Sequence, residues 1–116
     1  MSLNRVILEG RIATEVRPEE VGKHTKVSVL VACDRPGRDK GADFIPVTIW
    51  DKQAQNVAKY LDKGSRVAVE GRLRGEFWEA KDGRKGRSLE VVADRVTFLE
   101  SRDNREGRDR RKEKAA

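Results

Sequence analysis

The sequence predicts a small all-β barrel with one short helix that covers one end. Apolar and polar residues alternate with a period of two through most of the first 100 residues, which is typical of strands with one buried face. Only residues 51–61 show the apolar spacing of an amphipathic helix. The strand, helix and strand over residues 43–71 would alone suggest a parallel βαβ unit, but no second helical pattern is available to cover a parallel sheet.

The first predicted strand, Asn4–Ala13, has Gly10 in phase with its inward residues, which are Val6, Leu8 and Ile12. A glycine inside a strand often marks a bend or bulge, which a small barrel needs. The polar segment Thr14–Thr25 is predicted to be a loop. The second predicted strand is Lys26–Cys33, and its inward residues are Val27, Val29, Val31 and Cys33.

A basic, turn-rich loop at Asp34–Ala42 leads into the central strand. The inward residues of that strand are Ile45, Val47 and Ile49. Phe44 and Trp50 fall on its outward phase. In the helix that follows, Asp51 is the predicted N-cap and Gly64 the left-handed residue that ends it. The buried stripe of this helix consists of Ala54, Val57, Ala58 and Leu61.

The next strand, Ser65–Trp78, is long and is predicted to bend at Gly71. Its inward residues are Val67, Val69 and Leu73, and its outward residues are Arg66, Arg72, Arg74 and Trp78. Lys81–Arg87 is the basic tip of a hairpin, since Asp-Gly is a strong signal for a tight turn. The last strand, Ser88–Leu99, slips in phase after Val91. Its predicted core residues are Leu89, Val91, Val96 and Phe98, and Tyr60 of the helix is assigned to the core with them.

The chain has 116 residues, which indicates one domain over 1–100 followed by a tail over 101–116. The tail is basic and almost devoid of apolar residues, so we expect it to be disordered. The net charge is +6 and 40% of the residues are charged. This balance favours an acidic partner, most often nucleic acid.

Other classes are weakly supported. A single cysteine, Cys33, cannot form an internal disulfide, which is typical of a reducing compartment. No signal peptide or membrane-spanning stretch is present, so a soluble cytoplasmic protein is expected. The one histidine, His24, is interpreted as a solvated loop residue. We found no metal-ligand cluster and no phosphate-binding loop, so neither an enzyme with a small-molecule substrate nor a cofactor is expected.

Surface aromatics give the clearest functional signal. Phe44, Trp50 and Trp78 occupy outward positions on their strands. Exposure of tryptophan to water is unfavourable, so a functional reason for it is expected. Basic residues surround them in sequence or in phase: Arg35, Arg38, Lys40, Arg72, Arg74, Lys81, Arg84, Lys85 and Arg87. Aromatic faces stack on bases and cations neutralise phosphates, so this set predicts a platform for single-stranded nucleic acid. The alternative is that Phe44 and Trp50 pack beneath the basic loop or against another subunit.

These residues resemble a known family, the bacterial single-stranded DNA-binding proteins of the OB-fold type. The resemblance covers nearly all of residues 4–99 and rests on the following segments: Asn4–Ile12, Val31-Ala32, Arg38–Lys40, Asp43–Trp50, Lys59–Val67, Val69–Arg74 and Trp78. It implies a five-stranded Greek-key barrel, a homotetramer built as a dimer of dimers, and sequence-independent binding of single-stranded DNA in replication, recombination and repair. It also implies a nucleoid-associated location in the cytoplasm and stacking roles for Phe44, Trp50 and Trp78.

The chain departs from the family pattern at two places. Gly37 stands where the family often has another stacking aromatic. The chain ends at 110–116 in a basic segment instead of an acidic tip, so recruitment of repair proteins through such a tip is not supported. Two alternatives remain open at this point: an OB-fold protein with another task, such as a primosome component or RNA binder, and a protein–protein interaction module.

Overall fold

The structure is a computed structural model that describes residues 2–37 and 40–100. It contains one helix and six strands, which in chain order are β1 (Val6–Ile12), β2 (Glu19–Val21), β3 (His24–Asp34), β4 (Ala42–Trp50), α1 (Asp51–Tyr60), β5 (Arg66–Glu79) and β6 (Lys85–Glu100). The predicted all-β class with one short helix is confirmed. Arg38 and the predicted tail over 101–116 lie outside the described residues.

The strands form a closed barrel. Their order in the sheet is β1-β5-β6-β4-β3-β2, and β1 closes the ring by also pairing with β3 through Arg11↔Ala32 and Ile12↔Val31. All pairs are antiparallel except β4 with β6. A Cβ atom on Gly10 would lie 2.2 Å from the carbonyl oxygen of Ala32, so only glycine permits this approach of β1 to β3. The five barrel strands and their connections confirm the expected Greek-key OB fold.

Most of the predicted core is buried as expected. Inward residues of every barrel strand meet in one cluster, and α1 covers an end of the barrel by packing on β3 and β4. The buried apolar residues are Ile12, Val27, Val29, Val31, Val47, Ile49, Ala54, Val57, Leu61, Val67, Val69, Val91 and Ala93. Strand phase therefore identified the core wherever another layer of the barrel lies opposite the strand.

Four predicted core residues are instead exposed. Leu73 and Leu89 are 45% and 64% exposed, because the far halves of β5 and β6 extend past the barrel and have nothing beneath them. Tyr60 and Phe98 are 44% and 36% exposed at the rim, where their rings pack against each other with centroids 6.4 Å apart. The assignments of these four residues to the core were wrong.

The ends of the helix also differ from the prediction. Trp50, and not Asp51, is the N-cap, because the β3–β4 ladder continues to the pair Lys26↔Trp50. Asp51 then turns the chain at a φ of 57°. Gly64 is left-handed, with a φ of 98°, but lies in a turn beyond the helix, which ends at Tyr60.

Part of the predicted loop between the first two strands is regular. Val21 pairs with His24 across a tight turn, which makes β2 a short addition to the edge of β3. Gly22 in this turn has a φ of 62°, a conformation that glycine adopts without a steric penalty.

A bulge in β6 explains the predicted phase slip. Glu70 pairs with Arg95 and Gly71 pairs with Ala93, so Asp94 is an extra residue. The side chain of Gln53 on α1 donates to the Asp94 carbonyl at 2.8 Å and accepts from the Val96 N–H at 3.1 Å. It thereby satisfies backbone groups that the bulge removes from the ladder. The register shift beside Gly71 also agrees with the bend predicted there.

Candidate nucleic-acid interface

One surface of the barrel gathers the predicted aromatic residues. Residues paired across a ladder share a face, and Arg72 pairs with Val92, which in turn pairs with Thr48. The outward phases of β4, β6 and β5 therefore form one continuous face. Five of the predicted site residues lie on it, and we call them the outer face: Phe44, Trp50, Arg72, Arg74 and Trp78.

Trp50 is half-buried at the end of β4, held by polar neighbours. The His24 ring meets it edge-on, with centroids 6.3 Å apart and an angle of 89° between the rings. His24 is itself held by Asp51, whose Oδ1 lies 2.9 Å from Nδ1. The Lys26 ammonium lies 5.6 Å from the Trp50 ring centroid, within the range of a cation–π contact. The indole is thus fixed in orientation before any ligand arrives.

Next to Trp50 is a shallow cavity of about 380 Å³. It is lined by His24, Trp50, Asp51, Arg72, Arg74 and Val92. Its lining combines the indole of Trp50 with two guanidinium groups, so a flat ring and a phosphate would both find complementary partners there.

The two arginines of the cavity differ in their electrostatic environment. Arg74 Nη2 lies 2.5 Å from Glu76 Oε1, and its Nη1 lies 3.5 Å from Glu90 Oε1. Glu90 also accepts a hydrogen bond of 2.6 Å from the Thr48 hydroxyl. Arg72 makes no ion pair with any residue that the structure describes. The positive charge of Arg72 is therefore the more available of the two for a phosphate.

The other two aromatics of the outer face are more exposed than Trp50. Phe44 is 59% exposed and Trp78 is 52% exposed. Trp78 pairs with Gly86, and a Cβ atom at Gly86 would lie 2.1 Å from Cζ2 of the indole. The indole therefore rests directly on the Gly86 backbone and turns its other face to solvent.

This combination of fold and surface agrees with comparisons to known proteins. The sequence profile of the single-strand binding protein family matches residues 3–99. The chain belongs to that family. The single-stranded DNA-binding protein of Clostridium tetani is 44% identical over an alignment of 105 residues that covers 84% of this chain and 71% of that protein. The single-stranded DNA-binding protein of Bacillus cereus is 42% identical over 106 residues, covering 87% and 62% of the two chains.

A third relative matches over nearly its whole length. Single-stranded DNA-binding protein 1 of Clostridium acetobutylicum is 36% identical over an alignment of 106 residues that covers 86% of this chain and 96% of that protein. Membership in the single-strand binding protein family, expected from the sequence segments, is thus confirmed.

The remaining predicted basic residues of this family member are distributed over two loops and the back of a hairpin. Arg35 Nε contacts Asp43 Oδ1 at 2.9 Å, beside the exposed Lys40. At the β5–β6 turn, Arg84 pairs with Asp82 at 2.6 Å and Lys81 is exposed. The pairing register places two residues on the face of this hairpin opposite to Trp78, and these are Lys85 and Arg87. Arg38 lies outside the described residues.

Sequence reasoning missed two residues of this region. His24 was interpreted as a solvated loop residue, but it begins β3 and contacts Trp50. The β3–β4 register brings it there, which the sequence does not specify. Phe77 received no role, and it is 71% exposed next to Trp78. Strand phase did not identify it, because consecutive residues on a strand point to opposite faces and the phase opposite to Trp78 is the inward phase of Leu73.

The described residues show no arrangement typical of a metal centre, since no group of three or more His, Cys, Asp or Glu side chains converges among them. Burial, followed by the negative charge of Asp43, raises the pKa of the Cys33 thiol, so the neutral form is favoured. No helix in the described part of the chain is long and apolar enough to cross a membrane.

Proposed function

We propose that this chain binds single-stranded DNA without sequence preference and protects it during replication, recombination and repair. Bases stack on Phe44, Trp50 and Trp78, and basic side chains around them neutralise phosphates. A duplex hides the faces of its bases, so this surface selects single strands. The proposal describes a binding protein and not an enzyme, with a cytoplasmic, nucleoid-associated location.

One observation supports the proposal most strongly. The outer face places three aromatic rings and Arg72, which has no ion-pair partner among the described residues, on β4 and β5, the two strands that flank β6. Exposed aromatics of this size are unfavourable in water unless a partner covers them. The names of the relatives, all single-stranded DNA-binding proteins, favour DNA as that partner.

The test is a fluorescence titration with an oligo-dT of about 35 nucleotides, long enough for several OB folds. Both tryptophans of the chain lie on the outer face, so their emission should be strongly quenched by the single strand. A blunt duplex of equal length should quench weakly, and the affinity for the single strand should fall as salt rises. Equal responses to both nucleic acids would contradict the proposal.

Phe44 provides a complementary test that uses no tryptophan. Phe44→Ala should weaken oligo-dT binding by about 1–3 kcal/mol, the contribution of one stacked base. Competition between DNA and RNA of matched length and sequence then separates a DNA-binding role from RNA binding. If Phe44→Ala and Trp50→Ala dissociate a protein complex while DNA affinity is unchanged, the outer face serves protein contacts instead.

The same proposal includes self-association as a homotetramer. Support comes from β1, which pairs with β3 only at its last two residues, so the rest of that edge, Val6–Gly10, has no strand partner within the described chain. Ile7 is 67% exposed on this strand. An open edge commonly pairs with another chain. Light scattering in solution should give four chains per particle, and a monomeric mass would contradict this part of the proposal.

A further inference from the structure

The β5–β6 hairpin has a second face that the outer face does not use. Strand β1 pairs with β5 only as far as Gly71, and β4 pairs with β6 only at Val91 and Val92. Residues 74–79 and 85–90 therefore pair only with each other and form a two-stranded ribbon beyond the barrel. Most side chains on both sides of this ribbon are exposed, so both of its faces are available to a ligand.

The ribbon face opposite to Trp78 is apolar at its centre. Phe77 and Leu89 are 71% and 64% exposed, and Leu73, at the base of the ribbon, is 45% exposed. The register places these three side chains on one side, because Leu73 pairs with Val91, and Leu89 pairs with Gly75. Nothing in the described barrel covers them.

Positive charge lies on the same side. Arg87 pairs directly with Phe77, and Lys85 pairs with Glu79. Neither Arg87 nor Lys85 makes an ion pair within the residues that the structure describes. We call this side the Phe77 face, and its side chains are Leu73, Phe77, Glu79, Lys85, Arg87 and Leu89. An aromatic ring beside a guanidinium that has no ion-pair partner among the described residues is also found at Trp50 and Arg72.

We propose that the Phe77 face is a second contact surface for single-stranded DNA, in which a base stacks on Phe77 and Arg87 neutralises the adjacent phosphate. The strand would pass around the ribbon and contact Trp78 on one side and Phe77 on the other. Lys85 faces Glu79 across the ribbon, whereas Arg87 faces Phe77, so the charge of Arg87, on a chain of net charge +6, favours a polyanion over a second copy of this chain. This inference rests on the proposed function, because it extends the same ligand to a new site.

A direct test adds a fluorescent reporter at the new site. Phe77→Trp is introduced into the otherwise natural chain, and the emission of the added indole is obtained as the difference between the variant and the natural protein at equal saturation with oligo-dT. Oligo-dT should quench this added emission, while anisotropy of a labelled oligo-dT shows that the variant is saturated. Saturation without quenching of the added emission would overturn the inference.

A second test separates stacking from apolar packing. Phe77→Leu retains an apolar side chain but removes the ring, and it should weaken oligo-dT affinity about 5- to 150-fold, as loss of one stacked base does. Tyr60→Leu is the matched control, since Tyr60 is an exposed aromatic that contacts Phe98, whose strand partner Val67 lies at the opposite end of β5. This control should bind like the natural protein.

The outcomes distinguish this inference from the proposed function. If the natural protein quenches with oligo-dT but Phe77→Leu binds equally well, only the Phe77 face is refuted. If the natural protein fails to bind any single strand, both proposals fail. If Phe77→Leu leaves DNA affinity unchanged and Phe77→Ala lowers the particle mass in light scattering, the face is an interface between copies of this chain, and the inference is wrong.

Discussion

Arg72 and Arg74 provide a matched pair for testing whether charge on the outer face is available to phosphates. They occupy the same face of β5 and line the same cavity. The guanidinium of Arg74 is already compensated by Glu76 at 2.5 Å and Glu90 at 3.5 Å, whereas Arg72 has no such partner among the described residues. We therefore expect Arg72→Ala to remove one phosphate contact, and Arg74→Ala to remove only a fraction of one.

Salt dependence measures this difference directly. For single strands, the logarithm of the binding constant falls with the logarithm of salt concentration by about 0.7 for each phosphate neutralised. Arg72→Ala should reduce this slope by about 0.7, so a fourfold rise in salt should weaken the variant about 2.6-fold less than the natural protein. Arg74→Ala should change the slope by clearly less. Oligo-dT titrations at several salt concentrations supply both slopes.

Equal slopes for the two variants, or a larger change for Arg74→Ala, would refute this reasoning. Glu76→Gln provides an independent check on the same argument. Removing this carboxylate leaves Arg74 paired only with Glu90 and deletes a charge that repels phosphate, so the slope should steepen and binding at low salt should tighten. A Glu76→Gln protein that binds more weakly would show that Glu76 positions Arg74 for the ligand.

Three further predictions concern other parts of the barrel. Gly86→Ala places a Cβ 2.1 Å from the Trp78 indole, so the ring must move, and oligo-dT should quench Trp78 less while the thermal unfolding midpoint changes little. Gln53→Leu leaves the bulged β6 backbone without its hydrogen bonds and should lower the free energy of unfolding in urea by about 1–3 kcal/mol, whereas Gln55→Leu on the exposed side of the same helix should have little effect. Because the pKa of Cys33 is raised, its thiolate is scarce at neutral pH. Labelling of Cys33 with iodoacetamide should therefore be slower than labelling of a free thiol and should accelerate as the pH rises. Fast labelling at pH 7 would contradict this prediction.

The fold was largely predictable because the pattern that indicates it, the alternation of apolar and polar residues, is contained within each strand. Alternation along each strand identified Val29, Val47 and Val69 as core residues, since a period of two reports which side of a strand is apolar. The same signal failed at Leu73 and Leu89. Phase shows the direction of a side chain but not whether another layer lies opposite it. The length of the β5–β6 hairpin beyond the barrel depends on where β1 and β4 stop pairing, which is a tertiary property.

The candidate interface was predicted only in part. Strand phase indicates which aromatic residues point outward, but it does not indicate which residues meet between strands. Phase alone assigned Phe44, Trp50 and Trp78 to outward positions, and the structure places the strands that carry them, β4 and β5, on either side of β6. The contact of His24 with Trp50 and the compensation of Arg74 by Glu90 depend on the register between strands. No pattern within a single strand contains that register, so neither contact was predicted.

The parallel pairing of β4 with β6 determines when the outer face forms during folding and when it is lost by local opening. It joins the strands through only two residue pairs, Val47↔Val91 and Thr48↔Val92, across 44 positions of sequence. The hairpins on either side are local and can form early, but this junction requires closure of a long loop and should form late. Trp50 and Arg72 lie on opposite sides of it. A transient opening of the junction would therefore dismantle the cavity while both hairpins stay folded, and amide hydrogen exchange at Thr48 and Val92 should become slower when DNA holds the two sides together.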